Sequence, residues 1–198
     1  MQLPLTSEAL PEIIWLDSAE STNTALRELV SERAALGVSV PHGTLVVTPN
    51  QTAGRGRQGR GWETPPDTAL ASSLLLRPGG GLGEGALGMS WIPLLAGSAI
   101  TRALQPLFSG DGGIGDDGSS NIDDEDRQPL RVGVKWPNDV HVRDEEDAMA
   151  GRPGAKLCGI LCEVLPGGEV IVGFGINLLL QDWQLPTERA GSVLACGG

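Results

Sequence analysis

The chain has 198 residues and a formal net charge of −11, with 12 Arg, two Lys and 25 Asp plus Glu. Seven acids fall in 109–126 and four in 144–147, which leaves 14 acids against 14 bases elsewhere and excludes a uniformly anionic surface. A hydrophobic content of 40% suits one domain with a real core and excludes a disordered chain.

The segment 1–20 lacks the basic and apolar regions of a signal peptide. No stretch reaches the roughly 20 apolar residues of a membrane helix. The three cysteines show no metal-ligand spacing. On a strand, Cys158 and Cys162 would stand about 13 Å apart, too far to bridge. The expectation is a reduced, soluble, cytoplasmic protein.

In chain order, Ile13–Leu16 is a short apolar strand. From Thr24 a helical pattern gathers Ala25, Leu26, Leu29, Val30 and Ala34 on one side, and Gly37 stops it. Thr44–Thr48 is a β-branched strand ended by Pro49. Asn50–Trp62, dense in Gly and Arg, is predicted to be a loop. Leu70–Arg77 is a strand and Gly79–Gly85 flexible punctuation. Ala86–Leu107 is predicted to be a long buried helix kinked near Pro93. The Gly/Asp/Ser-rich stretch 109–128 has no periodicity and is expected to be a disordered insertion. The last third is β-rich, with strands at Leu130–Trp136, Asp139–Val142, Lys156–Leu165 and Glu169–Leu179. A second disordered insertion is expected at 144–155, and Pro166-Gly167-Gly168 makes the final hairpin. Strands without regular βαβ alternation predict one α+β domain over 1–198, with a mixed, largely antiparallel sheet and helices packed on one face.

Four places carry chemistry. In Gly54-Arg55-Gly56-Arg57-Gln58-Gly59-Arg60, guanidiniums alternate with glycines that let backbone amides approach an anion. Trp62 follows, able to stack or to close a pocket. The other reading of this loop is a flexible, RNA-binding Arg-Gly tract. Lys135-Trp136-Pro137-Asn138-Asp139 ends a strand with an ammonium for phosphate and a carboxylate for magnesium, or else makes an edge-strand ion pair. In the final hairpin, Ile171, Gly173, Gly175 and Asn177 share a face, leaving a glycine strip for a thin ligand or for a covering element. Both lysines of the chain lie in or beside these strands. Ser21-Thr22-Asn23 is a helix N-terminus whose side chains cap amides or meet a ligand.

In this order, the segments Glu20–Asn23, Gln51–Trp62, Val134–Asp139, Lys156–Glu163 and Gly173–Asn177 resemble the biotin protein ligase family, over roughly Trp15 to Leu180. The resemblance implies a fold like class II synthetases. It also implies a two-step reaction: biotin and MgATP give biotinyl-5′-AMP and pyrophosphate, then a lysine of a biotin carboxyl-carrier protein, such as an acetyl-CoA carboxylase subunit, takes the biotinyl group. By the same resemblance Ser21, Thr22, Asn23 and Gln51 would bind the biotin head, and Gly54, Arg55, Gly56, Arg57, Lys156 and Gly159 the rest of biotin. Arg57, Arg60, Trp62, Lys135, Asn138 and Asn177 would serve the nucleotide, and Asp139 magnesium. Lys156 and Arg57 would be catalytic. The match begins within about 20 residues of Met1 and stops near the chain's end. The expectation is therefore that a DNA-binding domain and the family's C-terminal SH3-like domain are absent, and that neither DNA nor membrane is a partner. A non-catalytic biotin-binding fragment, a lipoate-transferring relative and a nucleic-acid-binding module are the alternatives; oligomeric state is left open.

Overall fold

The structure is a computed structural model that describes residues 4–78, 88–109 and 130–198. A seven-stranded sheet organises it. Its strands are β1 (Ile13–Trp15), β2 (Leu45–Thr48), β5 (Ala69–Leu76), β6 (Arg131–Lys135), β7 (Asp139–Arg143), β8 (Ala155–Val164) and β9 (Val170–Asn177). The spatial order is β1-β2-β5-β9-β8-β7-β6. Only β1 and β2 run parallel; every other neighbour pair is antiparallel. Between β2 and β5, the two short strands β3 (Gly54–Arg55) and β4 (Gly61–Trp62) form a separate hairpin.

Side-chain alternation on β9 assigns the two faces. Val170 and Val172 join a core with Ile92, Leu104, Phe108, Val140 and Ile160. Ile171 points the other way into a second core with Leu26, Val46 and Leu75. Helix α3 (Ile92–Leu104) covers the first face and α2 (Thr22–Ala35) the second. The expectation of helices on one face is therefore corrected: both sides of the central strands are apolar and each needs a cover. Helix α2 packs over β2, β5 and β9 and reaches β8 through Asn23 and Arg27, and a cavity opens beyond it on that face.

Helix α2 starts two residues earlier than its apolar periodicity suggested, with Ser21 as N-cap. Thr22 and Asn23 are thereby buried in its first turn. Pro93 does not kink a longer helix; it sits in the first turn of α3, where its missing N–H costs nothing. The first helix, α1 (Pro4–Ala9), was not foreseen. The segment 144–155, expected to be without structure, carries α4 (Glu145–Met149). Asp144 caps it through the Asp147 amide at 2.7 Å. Arg152 pairs with Asp147 at 2.6 Å and Glu146 at 2.8 Å. A cap, first-turn acids facing the helix dipole and one guanidinium turn a repulsive run into a folded one. The expectations for Gly79–Gly85 and, beyond Ser109, for 109–128 lie outside the described residues.

Candidate active site

On the α2 face, small residues hold the sheet surface low. A cavity of about 450 Å³ opens there, with Ala71, Gly159, Gly173 and Gly175 in its floor. Ser21, Thr22, Asn23 and Gln51 form one end. The β3–β4 hairpin contributes Arg55, Gly56, Arg57, Arg60 and Trp62. Lys135, Asn138, Asp139 and Lys156 close the far end. The lining thus carries five cationic side chains and a single carboxylate, so a chain of net charge −11 is locally strongly positive here.

The polar end is rigid. The Thr22 amide donates to Gln51 Oε1 at 2.8 Å, which leaves the Gln51 amide nitrogen as the group it can offer a ligand. Asn23 Nδ2 donates to Glu163 Oε1 at 2.9 Å and to the Leu161 carbonyl at 3.3 Å. Its Oδ1 lies 2.6 Å from Ser73 Oγ. Of the two readings of the glycine strip, a covering element is met at both glycines. A Cβ on Gly173 would strike Asn23 Oδ1, and one on Gly175 would lie 2.5 Å from the Trp62 ring. Asn23 and Trp62 thus fill part of the space the glycines leave, and both glycines still line the cavity.

The Arg-Gly segment is a pinned hairpin, not a plain loop. Gly56 N donates to the Arg60 carbonyl at 2.7 Å. Arg55 donates to Thr24 Oγ1 at 2.7 Å and lies 3.9 Å from Glu163. Arg57 donates to Asn138 Oδ1 at 3.1 Å, and Asn138 in turn donates to the Ile160 carbonyl at 2.8 Å. Arg57 therefore arches over the cavity between its two ends. These contacts run against the reading of a free Arg-Gly linker.

At the cationic end, Lys156 Nζ lies 2.8 Å from Asp139 Oδ1. A bulge makes this pair. In the β7–β8 ladder Val140 opposes Cys158 but His141 opposes Lys156, so Leu157 is extra. Strict alternation would turn Lys156 and Gly159 to opposite faces; the extra residue brings both to the cavity. Burial alone would raise the Asp139 pKa, but the Lys156 hydrogen bond and the neighbouring His141, 3.9 Å away, outweigh it and hold the carboxyl below its ordinary value. A depressed carboxylate adds stability above its unfolded pKa and loses it as pH falls through the folded one. Acid unfolding of the wild type is therefore expected to steepen below about pH 4, and Asp139→Asn to flatten that limb. Coincident acid limbs in circular dichroism would refute the assignment.

Two residues expected at the site are not brought to it. Gly54 is buried behind the hairpin, where a Cβ would strike the Trp62 carbonyl and the Gln51 amide; its part is to let β3 close on β4. Asn177 is buried outside the cavity and donates to the Gly191 carbonyl at 2.8 Å, so it anchors the segment after β9. Conversely, Ser73 escaped the sequence reading. Its signal was a polar pair, Ser72-Ser73, inside an otherwise apolar strand. Cys158 and Cys162 are pushed up to about 12 and about 11 by burial, and Cys196 is raised too. Burial thus disfavours the thiolate form at each of these three free cysteines.

Fold and cavity together define a domain with a cleft across a sheet, polar side chains from the start of α2 at one end and Arg and Lys at the other. The profile of the Biotin/lipoate A/B protein ligase family matches residues 15–178, and the chain belongs to that family. It is 32% identical over 173 residues to the biotin–[acetyl-CoA-carboxylase] ligase of Mycobacterium tuberculosis, covering 87% of this chain and 51% of that protein. It is 29% identical over 180 residues to the bifunctional ligase/repressor BirA of Bacillus subtilis, covering 89% and 43%. The biotin protein ligase of Aquifex aeolicus in complex with biotin and ATP superposes with a TM-score of 0.63 at 26% identity, over 96% of this chain and 62% of that one. The Leishmania major biotin protein ligase with biotinyl-5-AMP gives 0.60 at 25%, over 94% and 65%. The chain thus spans about half the length of the curated relatives it matches.

Proposed function

We propose that the chain activates biotin with ATP as biotinyl-5′-AMP and transfers the biotinyl group to a lysine of a carboxylase carrier protein. The observation that carries this reading is the convergence of Arg55, Arg57, Arg60, Lys135 and Lys156 on one cavity against the lone carboxylate of Asp139. Joining two anions requires that their mutual repulsion be cancelled by charges already in place. In the first step a biotin carboxylate oxygen bonds to the α-phosphorus of ATP, and the bond to the β-phosphate breaks to release pyrophosphate. In the second, the carrier amine attacks the acyl carbon, AMP leaves and a proton is lost.

In this reading Ser21, Thr22, Asn23 and Gln51 hold the biotin head, and Gly56 and Gly159 keep the path along the sheet clear. Arg55 and Arg57 take the carboxylate and the α-phosphate. Lys156, steered by Asp139, reaches the same oxygens. Arg60, Trp62, Lys135 and Asn138 line the nucleotide end. The residues suit a magnesium ion that arrives with the triphosphate. Asp139 is one hard oxygen donor, and magnesium commonly takes one or two carboxylates plus phosphate oxygens. Among the described residues no group of three His, Cys, Asp or Glu forms a self-sufficient cage. The ion would neutralise phosphate charge. A cytoplasmic location accords with the free thiols. Among the described residues, no helix is long and apolar enough to cross a membrane.

The test is purified protein with biotin, ATP and magnesium, read by mass detection of biotinyl-AMP. Absence of the adenylate from a folded sample would overturn the proposal. Arg57→Ala is expected to lower the rate of its formation by about ten- to a hundredfold, as a charge-assisted clamp on the reacting oxygens is lost.

A further inference from the structure

Glu163 lies outside the cavity lining, yet it terminates the hydrogen-bond chain that lines the cavity's polar end. Its Oε1 accepts from Asn23 Nδ2 at 2.9 Å. Ser73 Oγ stands 2.6 Å from Asn23 Oδ1 and 2.8 Å from Thr22 Oγ1. Asn23 and Ser73 are buried, at 4% and 0% exposure, so water does not substitute for these partners.

The direction of this chain follows from what each group can do. A carboxylate only accepts, so the Asn23 amide must turn its nitrogen toward Glu163 and its oxygen toward Ser73. The Leu161 carbonyl, at 3.3 Å, favours the same orientation through a longer contact. The Asn23 oxygen also only accepts, so the single proton of Ser73 is committed to it. Thr22 Oγ1 then spends its own proton on Ser73 at 2.8 Å or on Gln51 Oε1 at 3.3 Å. Thr22 Oγ1 is left with lone pairs alone to offer, beside a Gln51 amide whose oxygen is already taken by the Thr22 N–H. The cavity wall therefore presents an acceptor next to a donor.

We propose that Glu163 is a positioning residue for substrate recognition: by fixing the Asn23 amide it sets the proton direction through Ser73 to Thr22, and so selects a ligand head with an N–H donor beside a carbonyl acceptor. This deepens the biotin reading and rests on it. The carboxylate also pairs with Arg27 at 3.4 Å and faces Arg55 at 3.9 Å, which neutralises its charge behind the wall instead of turning it on the substrate.

Biotin affinity by calorimetry and pyrophosphate release at saturating biotin, on the same samples, test it. Glu163→Ala is expected to weaken biotin binding by at least about tenfold while kcat stays within about twofold, the pattern of a lost hydrogen bond that acts on binding alone. Glu163→Gln keeps an accepting oxygen and is expected to bind within about threefold of wild type, since the oxygen, not the charge, aims the amide. Should Glu163→Ala fail to fold, Ser73→Ala, which cuts the chain one link nearer the cavity, is to show the same loss. Unaltered affinity in the folded variant, or a Glu163→Gln loss as large as that of alanine, overturns the proposal alone. A wild-type chain that binds no biotin overturns the ligase reading and this proposal with it.

Discussion

Lys156→Ala is expected to lower the rate of biotinyl-AMP formation by about two to three orders of magnitude, the usual effect of removing one preorganised charge from a developing anion. Lys156 is the cation that the fold aims most deliberately. The bulge at Leu157 turns it to the cavity, and Asp139 holds its ammonium at 2.8 Å. Its removal also leaves Asp139 without its nearest cation in the path of two anionic substrates. The double variant Lys156→Ala with Asp139→Asn is therefore expected to regain part of the ATP affinity without regaining the rate. Single-turnover formation of the adenylate separates the two. A Lys156→Ala rate within about tenfold of wild type would remove Lys156 from the chemistry and leave it a binding charge.

Gly173→Ala is the second large effect. It is expected to destabilise the fold by about 1–3 kcal/mol, the range for overpacking a filled site, and to abolish measurable biotin binding. The added Cβ would strike Asn23 Oδ1. Asn23 cannot withdraw cheaply, because Ser73, Leu161 and Glu163 all hold it. Gly133→Ala is the control. A Cβ there meets nothing within 4 Å, and its effect is expected to stay within about 0.5 kcal/mol. Thermal denaturation and calorimetry of the two variants decide the matter; equal melting temperatures would show that the Asn23 interlock relaxes freely.

Much of the fold was legible because local signals agreed. A β-branched run marked β2. Gly37, at φ +73°, marked the end of α2, and Pro166-Gly167-Gly168 marked the last hairpin. Less could be read where an element depends on partners distant in sequence. The β3–β4 hairpin has little intrinsic strand character. It forms because Gly54 allows Trp62 and Gln51 to close on it and because Thr24 and Asn138 receive its arginines. The acids of 144–147 looked unstructured until Arg152 was seen folded back on them. The glycines of β9 were recognised as making room, but what fills that room, Asn23 and Trp62, comes from 113 or more residues earlier in the chain. Asn177 looked like a ligand-binding amide at the end of that strip; its partner is Gly191.

The sequence by itself determined the chemistry available to this protein. The acids are concentrated in two segments, and the balanced remainder supplies an Arg-Gly segment, two lysines beside strand ends and a polar helix start. Residue type and order carry that much, since charge, hydrogen-bonding capacity and backbone freedom belong to each residue. Tertiary structure decided direction. A strand's alternation alone would point Lys156 away from Gly159, and the extra residue Leu157 reverses it. The proton order through Ser73 likewise exists only once α2 packs across β5, β9 and β8, because a hydroxyl or amide takes its direction from the partners around it.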